Sequence, residues 1–459
     1  MLKIDPGKRI GMRKKFKLKL QFSNVQIVAL GYGLVILLGT ILLLLPFASK
    51  APTTFTEAFF TAVSATCVTG LVLVDTAMHW SLFGQIVILL LIQVGGLGFM
   101  TLALRFMLLL RRRVGLRYRE VMVDSINSTR LGGILGLTKG IVAGTAFFEG
   151  VGAILLSLRF IPEYGFPKGL YFGVFHSISA FCNGGFDLMG DKGEFSSLVW
   201  YSDDLIVNLT IMSLIVIGGA GFLVWDDIFR NKRSWRRYHL QTKVVLVATG
   251  ILLFGGAAGF LLLEWNNLGA DMPFWEKLLT ALFQSCTART AGFNTVDTGA
   301  LSEGSKILTM FLMFIGGSPG STAGGIKTTT IAVMLLYTFA SARHEQDAHF
   351  FGRSLEGDVL QKAVTVFRFN LLFVIAGALF ICGLQPEITA TDIFFETFSA
   401  MGTVGMSTGI TRGLRPISCY IIIFLMYCGR VGSVSFAVAV LEKKARPPVT
   451  FPKEKITIG

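Results

Sequence analysis

Residues 57–75 read EAFFTAVSATCVTGLVLVD, a stretch between two longer hydrophobic runs that is itself too apolar for a loop. About ten apolar residues cannot cross a bilayer core of about 30 Å, so the stretch predicts a short helix that enters a membrane and returns. Three later stretches repeat the pattern: GLYFGVFHSISAFCNGGFDLMG (169–190), WEKLLTALFQSCTARTAGFNTVD (275–297) and DIFFETFSAMGTVGMSTGI (392–410). Each copy passes through a serine (Ser64, Ser179, Ser285 or Ser399) and then reaches a glycine followed by an apolar residue. Fourfold internal repetition is a stronger signal than any single motif.

The composition around these stretches predicts an integral membrane protein. Of the 459 residues, 53% are hydrophobic and 15% are charged, and the mean hydropathy of +0.65 lies outside the range usual for soluble proteins. Eight runs reach the length that crosses a bilayer, near residues 24–47, 82–110, 137–160, 204–225, 244–263, 305–340, 363–384 and 416–441. We therefore predict an all-α polytopic membrane protein.

The net charge of +14 raises the question of a nucleic-acid partner. The basic residues cluster in the N-terminal tail and in residues 111–119, 230–243 and 442–448, which all fall on one side if eight spans alternate. Basic loops mark the cytoplasmic side of a membrane protein. The charge therefore predicts topology, with cytoplasmic N- and C-termini and the lipid bilayer as partner, and no nucleic acid.

The four short stretches are expected to share one orientation, because an even number of spans separates them. This predicts four membrane–pore–membrane repeats with pseudo-fourfold symmetry around one central pore. Non-helical backbone at membrane depth is tolerated only where it lines protein or water, and glycine there lets carbonyl oxygens face the axis. Rings of carbonyl oxygens replace the hydration shell of a monovalent cation. The candidate ligands are backbone groups of Val68, Thr69, Gly70, Asn183, Gly184, Gly185, Thr290, Ala291, Gly292, Thr403, Val404 and Gly405.

These spans and repeats predict a division of the whole chain. It consists of a basic cytoplasmic tail (1–23), repeat 1 (24–115), repeat 2 (116–230), repeat 3 (231–345), repeat 4 (346–441) and a cytoplasmic C-terminal tail (442–459).

The motifs SATCVTGL (64–71), SAFCNGGF (179–186), TARTAGFN (287–294) and FSAMGTVGM (398–406), with IQVGGLGFM (92–100), resemble a known family. The chain is similar to the Trk/Ktr/HKT superfamily of potassium transporters, and most similar to the bacterial Ktr-type membrane subunit. The resemblance implies K⁺ uptake, often with Na⁺ dependence, by a homodimer in the bacterial cell membrane. It also implies a cytoplasmic ring of nucleotide-binding regulatory subunits as partner, and no enzymatic activity.

The stretch IGGSPGSTAGGIK (315–327) interrupts the sixth span. An unbroken helix over 305–340 would be roughly 50 Å long, so we predict a break that forms a polar intramembrane loop and a gate. The candidate gate residues are Gly316, Gly317, Ser318, Pro319, Gly320, Ser321, Thr322, Gly324 and Gly325, with Lys327. Two other interpretations are a kinked helix packed through small residues and a P-loop, and the latter fails because Ile326 separates Gly325 from Lys327.

Arg430 adds a charge near the middle of the last span. A charged side chain costs at least about 2.5 kcal/mol at that depth and marks a functional site by default. We expect Arg430 to act as a barrier or latch for cations beside the loop, with Lys327 as a weaker companion whose amine reaches the cytoplasmic interface. The alternative is a buried charge that pairs helices.

Two other function classes fit the composition less well. A secondary cation carrier would show inverted halves and paired broken helices, whereas one broken span stands out in the sequence. A polytopic membrane enzyme would need catalytic side chains, but the chain has five histidines, and we find neither HExxH nor a paired acidic motif within a span.

Overall fold

The computed structural model describes residues 24–98, 101, 134–232, 234–267, 272–344, 349–355 and 357–432. The predicted tails 1–23 and 442–459 and the basic stretch 111–119 lie outside the described residues. The side of the membrane on which the two termini lie therefore stays a prediction. The described part consists mainly of helices, which fall into four repeats of one long outer helix, one short helix and one inner helix.

The outer helices are Asn24–Leu43, Ile134–Tyr164, Leu240–Glu264 and Gly357–Leu384. The short helices are Phe55–Cys67, Phe166–Phe181, Phe274–Thr287 and Ala390–Gly402. The inner helices are Leu82–Leu97, Leu205–Ala220, Glu303–Phe314 and Pro416–Val431. A further helix follows the inner helix in repeat 2 (Phe222–Asn231) and in repeat 3 (Thr328–Ala342).

Smaller elements join these helices. A one-turn helix (Thr76–His79) follows the first short helix, and strands His349–Phe350 and Arg353–Ser354 pair as an antiparallel hairpin between repeats 3 and 4. Single 3₁₀ turns lie at Met189–Asp191, Val199–Tyr201, Trp235–Arg237, Thr298–Ala300 and Ile410–Gly413.

Local sequence signals set the ends of the short helices. The first begins with a capping box, in which the Glu57 N–H donates to Thr54 Oγ1 over 3.3 Å and the Thr54 N–H donates to Glu57 Oε2 over 2.7 Å. It ends where Val68 takes φ +58°, and the fourth ends in the same way at Thr403, with φ +51°. A residue in the left-handed region stops a helix because it cannot continue the i→i−4 ladder.

The burial pattern places the core at the short helices and leaves apolar side chains on the outside. A phenylalanine with no exposed area lies at a matched position of each short helix: Phe60, Phe175, Phe283 and Phe395. On the outer helices, by contrast, Ile251 is 66% exposed and Leu379 is 62% exposed. Exposed apolar surface of this extent is what a lipid environment favours.

The outer helices are long enough to cross a membrane. Among the described residues, four helices are long and apolar enough to cross a membrane, all of them outer helices. The inner helices of repeats 1 and 4 are shorter as described, and the predicted runs 82–110 and 416–441 continue beyond the described residues.

The predicted span 204–225 is bent near its end. The chain turns by 93° between Leu205–Ala220 and Phe222–Asn231, at Gly221 with φ +98°. A glycine tolerates this conformation because it has no Cβ, and a hydropathy window does not detect it because the residues on both sides are apolar.

Candidate functional site

The four glycine-containing tripeptides predicted as ligands meet in one ring. We call Val68–Gly70, Asn183–Gly185, Thr290–Gly292 and Thr403–Gly405 the glycine triplets. A β-carbon added to Gly70 would lie 2.7 Å from the Gly184 carbonyl oxygen, and one added to Gly185 would lie 2.7 Å from that of Ala291. Added β-carbons on Gly292 and Gly405 would likewise lie 2.4 Å and 2.1 Å from the carbonyl oxygens of Val404 and Thr69. Each triplet therefore contacts the next, and the fourth contacts the first.

The ring has the same unusual backbone in every triplet. The third residue is a glycine with positive φ (90°, 67°, 83° and 94° for Gly70, Gly185, Gly292 and Gly405). The first residue also has positive φ, at Val68 (58°), Asn183 (59°), Thr290 (74°) and Thr403 (51°). Three of these first residues are β-branched, for which the left-handed region is strained. A left-handed backbone that recurs at matched positions of four repeats, with strain in three of them, points to a functional constraint on the backbone.

Hydroxyl groups of the short helices hold the triplets from behind. Ser64 Oγ and Ser399 Oγ each accept from the triplet glycine N–H, Gly70 and Gly405, at 3.1 Å. Ser179 Oγ donates to the Phe186 carbonyl at 2.8 Å, just after its triplet.

In repeat 3 the equivalent hydroxyl belongs to Thr287, which donates to the Phe293 carbonyl at 2.7 Å. Ser285, which the sequence pattern selected, instead donates to carbonyls of the outer helix, with the Leu253 oxygen at 2.8 Å. The sequence pattern therefore selected the bonding hydroxyl in repeats 1, 2 and 4, but in repeat 3 it selected a residue two positions before Thr287. Spacing alone cannot decide between neighbouring hydroxyl residues.

The ring offers main-chain oxygens in a field that favours cations. Each triplet begins within three residues of the C-terminal end of a short helix, where the helix dipole places about half a negative charge. Closely spaced carbonyl oxygens are suited to a dehydrated monovalent cation.

A cavity of about 460 Å³ opens on one side of the ring, and all four triplet glycines line it. We call it the vestibule. Its other lining residues include Asp75, Asp187, Glu194, Asp297 and Arg412, so acidic groups outnumber basic ones and attract cations.

One segment of repeat 2 crosses the vestibule and touches the other three repeats. We call residues 193–198 the vestibule loop. The Phe195 N–H donates to Asp75 Oδ2 at 2.8 Å, and the Leu198 N–H donates to the Asn294 carbonyl at 2.9 Å. The Arg412 guanidinium lies 4.1 Å from the centre of the Phe195 ring, a cation–π geometry. Sequence reasoning missed this loop because its partners are distant in sequence.

On the other side of the ring, the inner helix of repeat 3 stops at Phe314 and the next helix begins at Thr328. Residues 315–327, the intramembrane loop, are non-helical, so the break is not a kink. The loop closes on itself through a parallel bridge between Ile315 and Ile326 and a 3.0 Å bond from the Thr328 N–H to the Gly317 carbonyl. Ser321 Oγ also donates to the Ser318 carbonyl at 2.6 Å.

The intramembrane loop is bound to its neighbours mainly through backbone groups. It touches the inner helix of repeat 2, the end of the second short helix, the inner helix of repeat 4 and the fourth triplet. The contacts are Ser318 N–H to Gly219 O (3.0 Å), Phe222 N–H to Gly320 O (2.8 Å), Thr322 Oγ1 to Phe181 O (3.1 Å) and Gly325 N–H to Gly429 O (3.3 Å). A β-carbon on Gly324 would overlap Thr403, and one on Gly221 would lie 2.7 Å from the Pro319 carbonyl oxygen. The candidate gate residues therefore lie against the ring.

Arg430 joins the loop to the first repeat. Its guanidinium donates to the Thr322 carbonyl of the loop and to the Gly95 and Gly96 carbonyls of the first inner helix, the last at 3.2 Å. Lys327 folds back on the loop, where Nζ donates to the Ala323 carbonyl at 2.8 Å. Its amine is therefore bound to carbonyls of the loop.

The inner helices carry a second repeat, a glycine motif near the C-terminal end of each. Repeats 1, 2 and 4 read GGLG (95–98), GGAG (218–221) and GRVG (429–432), and repeat 3 reads GGSPG (316–320). The last glycine of each of the first three has positive φ (78°, 98° and 95° at Gly98, Gly221 and Gly432). Aligning these four motifs would have shown that Arg430 stands where the other repeats have glycine.

The chain is similar to several known proteins. A model of the family TrkH, described as a cation transport protein, matches residues 12–446. The chain is 39% identical to the potassium/sodium uptake protein NtpJ of Enterococcus hirae, over 98% of this chain and 99% of that protein. It is 38% identical to Ktr system potassium uptake protein B of Bacillus subtilis, over 96% of this chain and 97% of that protein. It is 36% identical to Ktr system potassium uptake protein D of the same organism, over 98% of this chain and 100% of that protein.

The fold is also similar to a solved structure. The crystal structure of the potassium transporter TrkH from Vibrio parahaemolyticus superposes with a TM-score of 0.71, covering 94% of this chain and 86% of that one at 19% sequence identity. At that identity the likeness concerns the fold alone, and it confirms the predicted all-α polytopic architecture.

Proposed function

The chain belongs to the TrkH family of cation transport proteins, and from this premise we propose that it is the ion-translocating subunit of a potassium uptake system. Family membership makes it a membrane-embedded cation uptake transporter and not an enzyme. The finer proposal is that the ring of glycine triplets selects K⁺ and that the intramembrane loop gates the pathway.

The convergence of the four triplets is the observation that supports this function best. Each triplet glycine packs on the triplet of the next repeat, so four main-chain segments that are distant in sequence surround one axis. Carbonyl oxygens at that axis replace water around a monovalent cation. The acidic vestibule on one side supplies cations to the ring.

The gate proposal rests on the place of the intramembrane loop. The loop lies against the fourth triplet and the end of the second short helix, opposite the vestibule. Arg430 holds it through the Thr322 carbonyl. A shift of the loop would therefore open or obstruct the way from the ring.

The partners belong to the same proposal. Two of the similar proteins are named as parts of a Ktr system, which supports a partnership with a regulatory subunit. That this partner is a cytoplasmic nucleotide-binding ring, and that the chain forms a homodimer, are proposals that rest on the sequence resemblance. One is named a potassium/sodium uptake protein, which supports Na⁺ as an activator or second ion. We place the protein in the bacterial cell membrane with both termini cytoplasmic, and keep the division into residues 1–23, 24–115, 116–230, 231–345, 346–441 and 442–459 as part of the proposal.

A secondary cation carrier is the second candidate, because inner helices are broken in repeats 2 and 3 and not in one repeat alone. A carrier would couple K⁺ to a second ion in fixed proportion. Flux that follows the K⁺ gradient alone would exclude it.

Flux of K⁺ and Na⁺ in vesicles, compared between the wild type and Gly292→Ser, tests the ring. We expect the variant to lose most K⁺ flux, because its side chain meets the Val404 carbonyl from a backbone with φ +83°. Gly255→Ser is the matched control, since a β-carbon there meets nothing within 4 Å. Equal K⁺ flux in wild type and Gly292→Ser would remove the ring from the pathway.

A further inference from the structure

A buried polar residue recurs on every short helix, three positions before the hydroxyl residue that holds the triplet. It directly follows the buried phenylalanine of that helix. The four residues are Thr61 (1% exposed), His176 (0%), Gln284 (2%) and Glu396 (1%). A polar group at such a place is costly unless it is hydrogen-bonded, so its partners indicate what it does.

Glu396 is bonded to the chain that leaves the fourth triplet. Its Oε1 accepts from Ser407 Oγ and from Thr411 Oγ1, the latter at 2.9 Å. Ser407 Oγ in turn accepts from the Gly409 N–H at 2.9 Å. One carboxylate oxygen therefore fixes residues 407–411, which begin two positions after Gly405.

His176 does the same in repeat 2. Its Nδ1 lies 2.7 Å from the Phe172 carbonyl, which can only accept, so Nδ1 carries the proton. Its Nε2 is then free to accept from the Leu188 N–H, at 3.2 Å. Leu188 lies three positions after Gly185, so the contact again holds the chain just beyond a triplet.

Repeats 1 and 3 are supported differently. Thr61 Oγ1 and both amide atoms of Gln284 have no hydrogen-bond partner among the described residues. The vestibule loop contacts the chain beyond their triplets, through Asp75 in repeat 1 and Asn294 in repeat 3. Among the described residues, the buried polar residue therefore holds the chain beyond the triplet in repeats 2 and 4 and makes no such bond in repeats 1 and 3.

We propose that Glu396, with His176 as its counterpart, is a positioning residue that sets K⁺ over Na⁺ selectivity by holding the chain beyond its triplet against the short helix. This inference rests on the proposed function of the ring. Neither residue touches the transported ion. If the hydrogen bonds to residues 407–411 are lost, Gly405 and its carbonyl neighbours are free to move, and the ring adapts to the smaller Na⁺ ion.

The test compares three variants of the full chain, reconstituted in vesicles, by their K⁺ and Na⁺ fluxes and by their assembly in size-exclusion chromatography. Loss of the hydrogen bonds that Glu396 accepts from Ser407 and Thr411 should lower the K⁺/Na⁺ flux ratio of Glu396→Leu by about tenfold. Glu396→Gln should keep the ratio within about twofold, because its amide oxygen still accepts. Gln284→Leu is the matched control, with the same register and burial, and should leave the ratio unchanged.

Several results would overturn the proposal. One is an assembled Glu396→Leu variant with the K⁺/Na⁺ flux ratio of the wild type. The others are a Glu396→Gln or a Gln284→Leu variant whose flux ratio falls as much as that of Glu396→Leu. If Glu396→Leu does not assemble, Ser407→Ala combined with Thr411→Val removes the same bonds from the other side, and an unchanged ratio there overturns it as well. A wild type that carries no K⁺ would instead defeat the proposed function.

Discussion

At the residue scale, glycine and one arginine determine the geometry on the side of the ring opposite the vestibule. The first glycine of the inner-helix motif lets the inner helix touch the end of a short helix. Added β-carbons on Gly95, Gly218 and Gly429 would overlap the carbonyls of Thr66, Phe181 and Met401. The second position is glycine in repeats 1, 2 and 3, and only repeat 4 has a side chain there. That side chain, of Arg430, crosses to the loop.

Replacing Arg430 by alanine should raise basal K⁺ flux without loss of assembly. Hydrogen bonds to a charged group contribute about 1.5–3 kcal/mol each, so the loop should leave its bound position about tenfold more often. Vesicle flux and size-exclusion chromatography measure the two effects. The basal K⁺ flux of Arg430→Lys should lie between those of the wild type and Arg430→Ala, because an ammonium group cannot bridge several carbonyls as the planar guanidinium does. Failure of Arg430→Ala to assemble would mean that the charge mainly pairs helices.

At the element scale, the intramembrane loop and the bend at Gly221 form one unit. The Phe222 N–H, which begins the helix after the bend, donates to the Gly320 carbonyl of the loop. The orientation of Phe222–Asn231 and the position of the loop are therefore coupled.

Gly221→Ala tests this coupling. A residue with a Cβ costs about 1–2 kcal/mol in the left-handed region, and at Gly221 it also meets the Pro319 carbonyl. We expect a lower thermal unfolding temperature in detergent together with raised basal flux. Gly250→Ala is the control, because a β-carbon at Gly250 meets nothing within 4 Å. A Gly221→Ala variant that is less stable but has unchanged K⁺ flux would show that the bend does not determine the position of the intramembrane loop.

Deletion of residues 318–323 should raise basal K⁺ flux more than Arg430→Ala does. It removes the Ser318, Gly320 and Thr322 contacts that hold the loop to repeat 2. Flux of the folded variant is the measurement. A folded deletion variant with wild-type flux would remove the loop as the gate.

The sequence predicted the short helices, the glycine triplets and the break after Phe314, because each depends on local pattern and repeats. It could not predict that Thr287 replaces Ser285, or that the vestibule loop binds Asp75 and Asn294, since those contacts follow from packing between distant segments. The bend at Gly221 is an intermediate case. The hydropathy pattern did not predict it, but alignment of the inner-helix motifs would have indicated it. The roles of the triplets as filter and of the loop as gate stay predictions.

At the scale of the whole molecule, fourfold repetition creates the ring and departures from it create control. The last motif glycine has positive φ in all four repeats, at Gly98, Gly221, Gly320 and Gly432, but the third inner helix continues into the intramembrane loop. The vestibule loop belongs to repeat 2 alone, and the arginine belongs to repeat 4 alone. In our proposal the symmetric ring selects the ion, and the elements that occur in one repeat only, on either side of the ring, respond to a partner.

The most direct measurement is anomalous diffraction from crystals of the full chain grown with Tl⁺, a heavy substitute for K⁺. We expect a peak on the axis of the ring, surrounded by the carbonyl oxygens of Thr69, Gly184, Ala291 and Val404. Anomalous peaks confined to the vestibule, with none inside the ring, would contradict a filter built from the four glycine triplets.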